Sequence, residues 1–265
     1  MTNQPQPVFD PSHELQRSAE LLVKQPVLAL PIAAASVATV VVIFAAVLAA
    51  IASIITVAAV PHGAAAFAAL IPGIGLGFAV IVGSYALATL VTICAAPDVL
   101  SDRRVDWRAA LHRAAAGFWN FALLVLIGGC SMLVLLPLCF VLVGIPLVLA
   151  AWYFTTFASV AVALDGQDAF TALSTSFRIA RTRVPECLVA WVGIVVAFAI
   201  GATVNGALGH LPFINVVAAF LVGGFTGAYS ELVRVRFYLA LRVPGTPSTL
   251  TTNAYAAPYV PPTAV

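Results

Sequence analysis

The sequence predicts an all-α integral membrane protein. It has six transmembrane helices in three hairpins, and each hairpin follows an amphipathic interfacial helix on the cytoplasmic side. Three observations predict this. Of 265 residues, 62% are hydrophobic and 8% charged, where a soluble domain is about 25% charged. The mean hydropathy of +1.08 leaves too little polar surface to cover a fold in water. The apolar residues also run in blocks, several of them longer than the roughly 18 residues that mark a membrane span.

The elements follow in order. Residues 1–11 read as a disordered N-terminus, residues 12–242 as the membrane domain, and the Pro- and Thr-rich residues 243–265 as a disordered cytoplasmic tail. Arg17 and Lys24 precede an apolar run as in a signal peptide, but that run, from Pro26 to Val60, far exceeds a typical h-region. It is expected to stay in the membrane. The first block, residues 26–96, breaks at Pro61, His62 and Gly63 into two arms. An arm of some 34 residues would be about 51 Å long, against a hydrocarbon core near 30 Å, so it must tilt or kink. Pro31 and Pro72 are the expected kink sites.

The second block, Ala114 to Leu164, is expected to turn at Pro137, with a kink at Pro146 in its second span. The third, from Val184 to about Tyr238, turns at Gly209, His210 and Pro212. Charge tests the count. Every Lys and Arg (Arg17, Lys24, Arg103, Arg104, Arg108, Arg113, Arg178, Arg181, Arg183, Arg234, Arg236 and Arg242) falls in or against the termini and the segments near 98–113 and 165–183. The three intervening turns contain none. Positive loops stay inside, which predicts a multi-pass cell-membrane protein with both termini cytoplasmic.

The segment "DAFTALSTSFRIARTR", residues 168–183, has Phe170, Leu173, Phe177 and Ala180 on one helical stripe. The same pattern precedes the other hairpins, with Leu15, Ala19 and Leu22 on one face of the first, and Trp107, Leu111, Ala114 and Phe118 on one face of the second. Such helices are expected to lie at the interface with arginines among headgroups. Candidate anionic-lipid contacts are Arg103, Arg104, Arg108, Arg113, Arg178, Arg181 and Arg183. Leu15, Leu111 and Leu173 align, followed three positions later by Ser18, Ala114 and Ser176. An interfacial helix and two spans therefore repeat over about 12–96, 102–164 and 168–240.

"VALDGQDAFTALSTSFRIARTR" resembles a signature of the six-span family found as the membrane domain of some glycerophosphoryl diester phosphodiesterases and in stand-alone bacterial proteins. The likeness rests on the Asp165–Gly166 turn, the Ala172–Leu173 pair, Ser176 before an aromatic at Phe177, and the basic end at Arg181 and Arg183. The closing "FYLALR", Phe237 to Arg242, is similar too. Phe177 stands where the family more often has Trp. The resemblance implies the six-span fold and no activity. None of the segments outside the spans is expected to hold the metal-binding soluble domain of the phosphodiesterases.

The sequence assigns no catalytic, cofactor-binding or metal residue. His13, His62, His112 and His210 are far apart in sequence, and a metal cluster needs at least three converging ligands. Cys94, Cys130, Cys139 and Cys187 lie in or beside apolar runs and read as small hydrophobes. The glycines of "GIGLG", Gly73 and Gly77, and the pair Gly223 and Gly227 read as close-packing positions. Asn120, Asn205 and Asn215 are polar groups in or near spans. Glu231 and Arg234, three apart, are expected to form an intramembrane ion pair. Basic residues this scattered exclude nucleic acid as a partner. The first reading is a non-enzymatic protein that organises or assists a membrane partner; the alternative is a transporter or lipid-handling carrier with a substrate site in the bundle. A polar cavity inside the bundle favours the second, and a filled bundle with a cytoplasmic groove the first.

Overall fold

The computed structural model describes residues 10–59, 64–139, 144–208 and 212–242. Every element among them is helical: α1 (Pro11–Lys24), a 3-10 turn (Pro26–Ala29), α2 (Leu30–Ala59), α3 (Ala64–Leu100), α4 (Trp107–Cys139), α5 (Gly144–Thr155), α6 (Ala158–Asp165), α7 (Ala169–Thr182), α8 (Val184–Leu208) and α9 (Pro212–Leu241). The turns expected at Pro61, His62 and Gly63 and at Gly209 and His210 lie outside the described residues, as do both predicted tails beyond residues 10 and 242. Pro212 opens α9, where a missing N–H costs nothing.

Among the described residues, five segments are long and apolar enough to cross a membrane: Pro26–Ala45, Gly75–Leu100, Trp107–Leu135, Gly144–Asp165 and Val184–Leu208. The sixth expected span, α9, has 30 residues but carries Glu231, Arg234 and Arg236 in its second half. Large apolar side chains point outward along these helices, among them Phe44, Leu76, Phe78, Leu126 and Leu133. Water would not tolerate that surface, and a lipid environment does.

The tightly packed core sits at one end. It gathers the second half of α3, the first turns of α4, α6, α7, the start of α8 and the last four turns of α9. α9 is the central post, packing against α1, α2, α3, α6 and α8.

Three aspartates start three helices alike. Asp10 accepts from the backbone N–H of Ser12 and His13, Asp106 from Arg108 and Ala109, and Asp168 from Phe170 and Thr171. Each is an N-cap that satisfies otherwise orphaned donors. The Thr171 hydroxyl, with the two amides, holds the Asp168 carboxyl below the usual carboxylate range. Each cap stands five residues before Leu15, Leu111 or Leu173, and eight residues after each cap come Ser18, Ala114 and Ser176, all 0% exposed.

The sides these helices turn to the bundle are not simply the large apolar stripes, whose Phe and Leu are expected to meet the acyl boundary. In α7 the face against the bundle is Ala169, Ala172, Ser176 and Ala180, while Phe170 and Phe177 stay exposed. In α1, Ser18, Leu21 and Leu22 are buried and Ala19 is exposed; in α4, Leu111 is exposed and Ala110 and Ala114 are buried. Close helix approach selects small side chains and leaves the large ones outside. The second expected interfacial helix is not separate but forms the first turns of α4.

Two proline expectations also change. Pro137 lies inside α4, which runs on to Cys139, because a proline in the last turn removes only one hydrogen bond. Pro146 sits in the first turn of α5, where its missing N–H has no helical partner. The break falls instead at Thr156–Phe157, between α5 and α6. There the Ser176 hydroxyl of α7 donates to the Phe154 carbonyl (2.7 Å) and accepts from the Phe157 N–H (3.1 Å). A side chain inserted into the ladder is a recognised cause of helix interruption. Pro31 lies in the first turn of α2 just after the 3-10 turn, and Pro72 lies within α3 without ending it. At the end of α6, Gly166 takes a φ of 63°, a left-handed conformation that suits glycine at a helix end.

Candidate functional site

The sequence of α9 places Val222, Thr226, Ser230 and Arg234 on one stripe at four-residue spacing, with Gly223, Gly227 and Glu231 beside it. This face forms the floor of a cleft of about 470 Å³, walled by Ile32 and Ser36 of α2, Tyr85 and Thr89 of α3, and Phe198 to Asn205 of α8. That volume is within the range of small-molecule sites.

Glycines set the geometry. A Cβ on Gly227 would meet Ile32 at 3.0 Å, one on Gly224 would meet Ala33 at 3.0 Å, and one on Gly201 would meet Thr226 at 2.8 Å. α9 therefore lies close against α2 and α8. Gly223 behaves differently from the packing role expected of it: a Cβ there would meet nothing within 4 Å, because the residue faces the cleft. A Cβ on Gly77 would meet Val42 at 3.4 Å, an ordinary contact; the surroundings of Gly73 fall outside the described residues.

Most hydroxyls around the cleft are already satisfied. Thr226 and Ser230 donate back to the carbonyls of Val222 and Gly227 at 2.8 Å, and Ser36 pairs with Tyr85 at 2.9 Å. Glu231 Oε1 accepts from Arg234 Nη1 at 2.6 Å, with side chains 7% and 15% exposed. Three polar atoms of residues in the lining are buried without a hydrogen-bond partner among the described residues: Glu231 Oε2, Arg234 Nε and Asn205 Oδ1. Gly201 is level with Val222 and Thr226, so Asn205 and Glu231 stand at opposite ends, on the order of 15 Å apart along the helix axes. Tyr85 and Phe198 sit mid-helix on α3 and α8 and are 37% and 42% exposed. The cleft thus opens sideways through apolar surface.

Beyond Arg234, every arginine of α9 and its end meets a carboxylate. Arg236 pairs with Glu14 of α1, and Arg242 with Asp165 of α6 at 3.3 Å; Tyr238 donates to the same Asp165. Sequence reasoning found Glu231–Arg234 from their spacing. It missed Glu14–Arg236, whose partners are 222 residues apart, and no local signal announces them.

The candidate headgroup arginines are divided. Arg103, Arg104, Arg108, Arg178 and Arg181 are exposed, Arg183 is exposed but 3.8 Å from Glu186, and Arg113 is half-buried with its Nε on the Ala109 carbonyl. His13 and His112 are exposed on α1 and α4, while His62, His210 and the side chains of Cys139 and Asn215 lie outside the described residues. Asn120 is half-buried and away from the cleft lining. The thiols of Cys94 and Cys187 are buried against the carbonyls of Ala163 and Ile179. No family model matches this chain, and neither a curated protein nor a solved structure matches it.

Proposed function

We propose that this protein is a carrier that binds a small molecule in the cleft between α2, α3, α8 and α9 and moves it within the membrane. The observation that carries the reading is the cleft, whose lining residues at both ends hold buried polar atoms without partners among the described residues. A buried polar group left unpaired is costly, and a ligand's polar head satisfies it. Unpaired groups at the two ends offer two stations along one path. A filled bundle would have favoured the organising role, in which the chain assists another membrane protein.

The proposal includes six spans, α9 being the sixth, with both termini cytoplasmic in the cell membrane. The charge partition and the resemblance to the six-span family support it. So do the three Asp caps in equal register, which fit three diverged copies of one unit. The exposed Arg103, Arg104, Arg108, Arg178 and Arg181 are free to meet anionic headgroups. Reporter fusions near Asp102, near Asp168 and after Arg242 are expected to read cytoplasmic, and those at Gly63 and Gly209 external. An external C-terminus would mean an odd number of spans and end this topology.

The cleft is tested by filling it. Gly223→Leu projects into open space and replaces a helix-interior glycine with a better helix former, so the fold is expected to be kept. Small molecules that copurify with the full chain are compared by mass spectrometry with those of the variant. At least one species is expected to be depleted on the order of tenfold. Identical extracts from two equally folded proteins would remove the carrier reading.

A further inference from the structure

We infer that the cleft takes an uncharged amphiphile whose head is a hydroxyl, held between Glu231 Oε2 and Arg234 Nε, with its apolar body along Phe198 and Val222. The inference rests on the carrier reading and adds the class of ligand to it. Glu231 and Arg234 neutralise each other across 2.6 Å, so the polar end of the cleft carries both signs and no net charge. An anionic head would lie against the free carboxylate oxygen. A cationic head would lie against the guanidinium. Either meets a like charge or must break the pair, in surroundings where only 5% of Glu231 is exposed and where unpaired charge is costly.

A hydroxyl escapes both penalties. It donates one hydrogen bond and accepts others at a single atom, which matches one free acceptor and one free donor on the same helical turn. The neighbouring Ser230 and Thr226 hydroxyls spend their protons on backbone carbonyls, so towards the head they act only as acceptors. Apolar lining supplies the remainder: Ile32, Phe198, Ala202 and Val222 continue from the head end toward Asn205. The exposed Tyr85 and Phe198 mark a side opening through which a molecule dissolved in the bilayer slides without crossing water.

The test uses the full chain in phosphatidylcholine nanodiscs and three photoreactive probes with one hexadecyl chain, ending in hydroxyl, trimethylammonium or phosphate. Labelled peptides are mapped by mass spectrometry. The alcohol is expected to label 198–205 and 222–234 on the order of tenfold more than either charged probe, and Gly223→Leu to abolish that labelling. Glu231→Gln removes the carboxylate and frees the Arg234 charge, so it is expected to shift preference toward the phosphate probe. Cleft labelling by a charged probe equal to or above the alcohol, still blocked by Gly223→Leu, overturns the hydroxyl assignment and leaves the carrier site standing. Alcohol labelling that is absent from the cleft, or indifferent to Gly223→Leu, overturns the assignment, while the copurification comparison separately decides the site. An unchanged preference in Glu231→Gln overturns the role of the ion pair as the head's selector.

Discussion

Replacing Glu14 with alanine is expected to destabilise the protein by about 3 kcal/mol or more, the cost of breaking a buried ion pair from one side. Its partner Arg236 is 6% exposed, and the Arg236 Nη1 already has no hydrogen-bond partner among the described residues. Without Glu14 the guanidinium keeps its charge, since arginine does not deprotonate in proteins, and it cannot reach water. Arg236→Leu is expected to cost a similar amount by leaving the Glu14 carboxylate, 16% exposed, without its cation. The double change Glu14→Leu, Arg236→Leu is expected to cost much less than the sum, because neither charge is then stranded. Chemical unfolding in detergent, followed through helix content, reads all three. Single changes below about 1 kcal/mol that simply add would mean that α1 is held by its other contacts, such as those of Leu15, Leu21 and Leu22, without help from the pair.

This pair also shows where sequence reading reaches its limit. The helices themselves are legible, because apolar runs and charge breaks are local. The Glu231–Arg234 pair is legible for the same reason, since three residues along one helix dictate one face. Glu14–Arg236, Asp165–Arg242 and the Ser176 insertion between Phe154 and Phe157 depend on which helices become neighbours, and no spacing encodes that. The break at Thr156 illustrates the point. Its sequence, "YFTTFAS", holds neither Gly nor Pro, whereas Pro137 and Pro146 advertise interruptions and fall where a helix tolerates them. Gly223 and Gly227 look alike in sequence. Both line the cleft, and only the placement of α2 makes Gly227 also a contact for Ile32 while Gly223 faces open space.

Glu231→Gln is expected to cost about 3 kcal/mol of stability, again because it strands a buried partner, here Arg234. Arg234→Gln should cost a comparable amount, and the double variant less than the sum. Thermal unfolding of the full chain in detergent measures the set. The residue has a second duty in the proposal, since its Oε2 is the free acceptor at the polar end of the cleft. The two duties separate in the double variant, in which two neutral amides replace the pair. Its stability should partly return, because no lone charge is left, while its preference for a hydroxyl head over charged heads should not. A different result would change the assignment of this carboxylate. If Glu231→Gln keeps full stability yet abolishes a pH-driven flux in proteoliposomes, then Arg234 does not depend on it for compensation. Glu231 is then a group that gains and loses a proton during transport, and the pair is a working part of the carrier rather than a brace beneath its site.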